Sequence, residues 1–293
     1  MTTLEAPAVR EAASGRSGPA VLMVLGSCTS LQIGAALATR LFPATGTIGA
    51  TFLRLSLAAV ALLAVTRPGL RHWDRRQWRA IALFGLCLAG MNGFFYASIA
   101  RIPLGVAVTI EILGPLTLAA VLSRRPRDIG WVLLAAAGVA VLGLTGNSGT
   151  APGLDPLGVV FALAAAVFWA LYIVTGARAG AAVPGRGGLA VAMAIAALVL
   201  LPGGGLGAAH AMVRPHLFLI ALGTGLTASV IPYSLELSAL RRLPRRVFGV
   251  LLSLEPAVAT LAGWLLLSQR VGPAAGAAIA MVVAAGVGST AQG

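Results

Sequence analysis

Lysine is absent from this chain of 293 residues, and acidic residues are scarce: 8 Asp and Glu against 21 basic residues, all Arg. Only 10% of the chain is charged and 6% aromatic. A soluble globular domain carries about a quarter charged residues. The shortfall excludes an ordinary cytosolic enzyme and a charge-rich disordered chain. The 2 cysteines, Cys28 and Cys87, lie inside apolar runs with no CxxC partner or neighbouring His. That excludes a disulfide scaffold and reads both as packing residues. The 3 histidines, His72, His210 and His216, fall in connecting segments. No HExxH, P-loop or GxSxG occurs, and no Lys-Ser/Thr follows the run Gly203-Gly204-Gly205. ATP-driven transport is therefore unsupported, and no metal or cofactor is expected.

What the chain has in abundance is apolar sequence: 58% hydrophobic residues and a mean hydropathy of +0.94. A helix crossing a ~30 Å hydrocarbon core needs about 20 apolar residues. Apolar runs and their Pro/Gly breakers predict spans at 20–38, 47–66, 79–99, 103–122, 129–146, 156–175, 188–201, 217–238, 246–267 and 271–290. The seventh is short and closes on Pro202 and the glycine run. No cleavable signal pattern precedes the first span. Residues 1–18 read as a polar, disordered tail.

The net charge of +13 would suggest nucleic acid in a soluble protein. Here the arginines sit in short connectors. With the N-terminus cytoplasmic, 16 fall on the inside, 4 on the outside (Arg40, Arg101, Arg214, Arg270), and Arg54 lies within a span. This bias orients both termini to the cytoplasm of a bacterial inner membrane, and nucleic acid is not an expected partner.

The chain also resembles itself at an offset of 141 residues: Arg101 falls on Arg242, Pro103 on Pro244, Val106 on Val247, Leu113 on Leu254 and Pro115 on Pro256. Five spans per half send the second half into the membrane from the opposite side, the inverted repeat of many secondary transporters. The expected division is a tail (1–18), a first repeat (19–146), an external loop (147–155) and a second repeat (156–293). The fold class is an all-α membrane protein of ten helices in two inverted five-helix repeats.

Two stretches narrow the reading. One is Pro103-Leu104-Gly105-Val106-Ala107-Val108, leading to Glu111 and Gly114-Pro115; the other is Ser253-Leu254-Glu255-Pro256. The chain resembles the drug/metabolite transporter superfamily, in its ten-helix branch of paired EamA-type repeats, and both stretches are similar to the threonine and homoserine efflux subgroup. The resemblance implies export of a small amino acid or related metabolite by alternating access, with protons as a candidate coupling ion. One departure is Ser268-Gln269-Arg270, where EamA repeats often carry Gly-Glu.

Ionisable groups within spans cost roughly 2.5–3.5 kcal/mol or more near the bilayer centre, so each should face a cavity or a partner. Glu111 and Glu255 each lie ~12–14 Å deep, entering from opposite faces. They are candidates for a substrate ammonium or a coupling proton; the structural alternative is helix tying. Pro115, with Gly114, and Pro256 are the expected bending points. Arg54 could bind a substrate carboxylate, pair with Glu111, or snorkel to the surface. Glu236 reads as a surface ion pair with Arg241 and Arg242. Gln32, Asn92, Tyr96, Trp169, Tyr172 and Tyr233 are candidates for the cavity lining, with helix–helix bonding or packing as the alternative for each. Gly272 to Gly276 has close-packing spacing. Partners are then a small-molecule substrate and membrane lipid, and the oligomeric state is open. The competing readings are a transporter of another metabolite or drug, including an importer, and a membrane-embedded lipid-modifying enzyme. The latter lacks a clustered nucleophile or metal-ligand set.

Overall fold

A computed structural model describes residues 6–123, 126–145, 154–240, 242, 251–270 and 272–291. Among the described residues every extended element is helical and no strand occurs. In chain order the helices are α1 (Ala6–Thr39), α2 (Phe42–Thr66), α3 (Arg75–Ile99), α4 (Leu104–Glu111), α5 (Leu113–Ser123), α6 (Pro126–Thr145), α7 (Pro156–Ala182), α8 (Gly187–Met212), α9 (Pro215–Gly225), α10 (Ile231–Leu240), α11 (Glu255–Leu267) and α12 (Pro273–Ala291). Among the described residues seven helical stretches are long and apolar enough to cross a membrane: Gly18–Thr39, Phe42–Thr66, Arg75–Ile99, Leu104–Leu122, Pro156–Ala182, Gly187–Met212 and Pro215–Glu236. Three shorter apolar helices, Ile129–Val141, Glu255–Leu267 and Pro273–Ser289, accompany them. The connecting loop over 147–153 and the start of the ninth expected span (246–250) lie outside the described residues.

Helical backbone follows from the solvent the sequence implies. In hydrocarbon every N–H and C=O must find its partner within the chain, and a helix does this locally. The apolar side chains then face two ways. Leu206 is 91% exposed, and Val65, Leu122 and Leu219 also point outward, which suits lipid contact. The interior is built largely from Ala, Gly and other small residues, which let helix backbones approach closely. α2 packs chiefly on α8, α3 on α7 and α8, α6 on α12, and α1 on α10 and α11.

Three expectations are corrected. α1 is already helical from Ala6, so the disordered tail is replaced by a helix running into the first span. The seventh span does not stop at Pro202, because α8 continues through it to Met212. The glycines explain this. A Cβ at Gly204 would stand 2.8 Å from the Ile48 carbonyl oxygen, and one at Gly207 would overlap the Thr45 carbonyl. The glycine run is the contact face against α2, and packing outweighs the helix-breaking tendency of Pro and Gly. Gly272 and Gly276, in contrast, have no atom near their Cβ positions and pack on nothing.

Two spans are broken in mid-course. The fourth divides at Ile112 into α4 and α5. Pro115 lacks the N–H that would bond the Glu111 carbonyl, so the ladder fails where the break falls. In the ninth, a turn at Ser253-Leu254 precedes α11, which begins at Glu255-Pro256. Gly114 turns out to be a packing residue as well as a neighbour of the break: a Cβ there would overlap the Ala166 carbonyl of α7. The eighth span carries a π-helical turn, Leu226–Val230, between α9 and α10. The departure at Gln269 has a structural use. Its Oε1 accepts the Leu104 N–H at 3.0 Å, capping α4 from the second half of the chain.

Candidate functional site

The helix breaks bring buried polar groups together inside an otherwise apolar bundle. Arg54 on α2 is 3% exposed, which rules out snorkelling. Its Nε donates to Ser229 Oγ at 3.0 Å, Nη2 to the Ala228 carbonyl at 2.6 Å and Nη1 to the Tyr96 hydroxyl at 3.3 Å. The guanidinium also lies over the Tyr96 ring, 5.4 Å from its centroid. Both Ala228 and Ser229 belong to the π turn, where the i to i−4 ladder is interrupted and a carbonyl is available to a side chain. None of the Arg54 hydrogen bonds goes to a carboxylate among the described residues, so the Glu111 ion pair is not formed. A guanidinium has about five N–H donors. With three bonds made, two N–H groups of the held fork have no partner among the described residues.

The two expected glutamates are buried at opposite ends of broken helices. Glu111 is the last residue of α4 and Glu255 the first of α11. Glu255 Oε1 accepts from Gln32 Nε2 of α1 at 3.1 Å, and Gln32 Oε1 is buried with no hydrogen-bond partner among the described residues. Glu111 and Glu255 lie on α4 and α11, which pack against each other, and Arg54 is near enough to act electrostatically on Glu111. A helix C-terminus favours a cation and an N-terminus an anion. The α4 end is therefore suited to an ammonium, with the Glu111 carboxyl and a carbonyl left unbonded by Pro115 as acceptors.

The lining candidates separate. Gln32 and Tyr96 join this centre. Tyr172 and Tyr233 both pack against the apolar cluster of α2, α3 and α8, with the Tyr172 ring 5.0 Å from Phe84. Asn92 is buried, and its Nδ2 is committed to the Leu88 carbonyl of its own helix at 2.8 Å. Trp169 packs into the apolar cluster around Ile112, Leu116 and Val282. Glu236 is also corrected: it turns inward and accepts from Ser27 Oγ at 2.7 Å. Arg242 is exposed and makes no ion pair with it, and Arg241 lies outside the described residues. Sequence reasoning missed Ser229, Ser27 and the Ala228 carbonyl. The visible signal for the first was the polar set Thr224, Thr227 and Ser229 within an apolar run; nothing in the sequence marked a π turn.

No group of His, Cys, Asp and Glu able to hold a metal occurs among the described residues. Apolar, lipid-facing helices around a charged centre made at helix breaks define a multi-pass membrane transporter. The chain belongs to the EamA-like transporter family. The family model matches residues 156–290. The threonine/homoserine exporter RhtA of Escherichia coli (strain K12) is 39% identical over 270 residues, covering 92% of this chain and 90% of that protein. The protein of the same name from Salmonella typhimurium (strain LT2) is 40% identical over the same coverage. A solved crystal structure, 21% identical, covers 92% of this chain and 95% of its own with a TM-score of 0.59, which shows a shared fold.

Proposed function

We propose that this chain exports a small amino acid of the threonine/homoserine type across the bacterial inner membrane by alternating access. The moving parts are two inverted five-helix repeats, residues 19–146 and 156–293, with both termini cytoplasmic. The observation that carries the reading is the pairing of opposite chemistries at one buried centre. The Arg54 fork offers uncommitted donors to a carboxylate, and Glu111 at the C-terminal end of α4 offers acceptors to an ammonium. A zwitterion satisfies both, whereas a purely cationic or apolar drug would leave the guanidinium without its anion. The unpartnered Gln32 Oε1 supplies a further acceptor for a substrate hydroxyl or ammonium. The names of the relatives point to the same substrate class. Glu111 and Glu255 are the proposed proton carriers, each beside a helix break that lets it change neighbours as the repeats move.

The test is efflux of labelled threonine or homoserine from liposomes containing the purified protein, with and without an imposed pH gradient. Efflux above empty liposomes that the gradient accelerates supports substrate and coupling together. Efflux indifferent to the gradient keeps the substrate and removes the proton role. No efflux above the control defeats the substrate assignment and returns the chain to a transporter of another metabolite.

A further inference from the structure

Away from the centre, one end of the bundle gathers Arg67, Arg71, Arg75, Arg76, Arg79, Arg178 and Arg186, with Asp74 as the acid among them. Between the start of α3 and the end of α7 this end holds a groove of about 520 Å³. Arg76 enters it from α3 and Arg178 from α7. Both are exposed, and neither forms an ion pair among the described residues. The other donors of the groove are already engaged, and one oxygen of its single carboxylate, Asp74, serves as a helix cap. Asp74 Oδ1 accepts the Gln77 N–H at 2.7 Å as the α3 cap, and Gln77 Nε2 donates to the Ala182 carbonyl at 2.9 Å, tying the two helices together. Thr175 donates within its own helix to the Leu171 carbonyl at 2.7 Å. The two guanidiniums are thus the groove's uncommitted donors.

The groove has a second, apolar end. Seven residues along α3 from Arg76 lies Leu83, 52% exposed; seven residues back along α7 from Arg178 lies Leu171, 45% exposed. Seven residues are ~10 Å of helix, and the headgroup layer is about 5–7 Å thick on each side of the bilayer. The α3 wall of the groove therefore passes from guanidinium to exposed leucine over about the depth that separates lipid phosphate from acyl chain, and Leu171 continues the exposed apolar surface on α7 beyond the lining. Trp73 and Trp78, their rings 5.3 Å apart, sit at the same level as Arg76, the depth that indole side chains favour.

We infer that this groove binds an anionic phospholipid, with its phosphodiester between Arg76 and Arg178 and an acyl chain running along Leu83. A guanidinium fork matches a phosphate in geometry and charge. The occupant clamps α3 to α7, and so couples lipid composition to the packing of these two helices. The site is separate from the proposed substrate centre and does not rest on the transport reading.

The experiment is a thermal-shift titration of the purified full chain in neutral detergent. The probes are short-chain phosphatidylglycerol, the matching phosphatidylcholine and inorganic phosphate. Saturable stabilisation by phosphatidylglycerol alone is expected. The double variant Arg76→Gln/Arg178→Gln should weaken it about 30-fold, the factor two basic residues contribute at an anionic lipid surface. Arg71→Gln/Arg79→Gln removes the same charge outside the groove and should change binding by less than about 3-fold, since only screened attraction is lost. Both doubles change exposed residues, and an unchanged melting point in phosphatidylcholine verifies their folding. Equal weakening in the two doubles, or none in the first, overturns the site. Equal stabilisation by inorganic phosphate overturns the lipid as its occupant.

Discussion

Replacing Arg54 with Lys keeps a positive charge in the bundle and removes the planar fork. The wild-type side chain is held by Ser229 Oγ at 3.0 Å, the Ala228 carbonyl at 2.6 Å and the Tyr96 hydroxyl at 3.3 Å, all on one guanidinium. A lysine ammonium has three donors spread about a point. Serving even two of these partners leaves it one donor and no bidentate face for a carboxylate. A hydrogen bond to a charged group is worth about 1.5–3 kcal/mol. Its loss should therefore raise the half-saturating threonine concentration roughly 10- to 150-fold. The assay is efflux from proteoliposomes, run in parallel with the amino alcohol in which the threonine carboxylate is reduced. The wild type should favour threonine by a margin of that order, and Arg54→Lys should collapse the difference. A lysine variant that still separates the two compounds as the wild type does would refute a carboxylate role for Arg54. Equal impairment toward both would assign the residue to holding α2 against the π turn.

Four further outcomes follow from the same contacts. Glu111→Gln and Glu255→Gln should each transport without acceleration by a pH gradient; preserved acceleration in both would remove proton coupling from these residues. Gly114→Ala forces a methyl into the Ala166 carbonyl and should cost about 1–3 kcal/mol, read as a lower melting temperature, unless α5 and α7 can separate freely. Gln32→Leu removes the donor to Glu255 and should slow efflux while leaving expression intact, whereas Asn92→Leu, whose amide serves its own helix, should transport at close to the wild-type rate. The Arg101 hydrogen bond at 2.8 Å, followed by the Leu157 N–H, holds the Asp155 carboxyl below its ordinary range. Its contribution is thus present at neutral pH and lost as pH falls through that lowered value. Because the pair is exposed, Asp155→Asn should barely move the melting point at pH 7 and should flatten any acid-side slope that Asp155 contributes.

The charged members of the centre were legible because the bilayer makes them conspicuous. Arg54, Glu111 and Glu255 stand out in apolar runs whatever their partners are. Gln32 and Tyr96 were singled out on the same ground, as polar side chains within spans. That rule does not discriminate further. Asn92 satisfied it and bonds its own helix, and Trp169 satisfied it and packs in an apolar cluster. Glu236 was assigned by its neighbours in sequence, Arg241 and Arg242, but its partner is Ser27, 209 positions away.

From the sequence alone came the class of solvent, the number of apolar runs and the family resemblance. These depend on composition, local hydropathy and short motifs, none of which needs to know what lies across the bundle. The breaks beside Pro115 and Pro256 were local in the same way, since a missing N–H acts on its own helix. Only the tertiary structure decided that α8 runs through Pro202, because the contact of its glycines with α2 outweighs their helix-breaking tendency. Only it decided that a π turn would present the Ala228 carbonyl to Arg54, and that Gln32 would meet Glu255 across 223 residues of chain. A buried polar group in hydrocarbon must be satisfied by whatever packing brings within reach, and that packing is a property of the whole bundle.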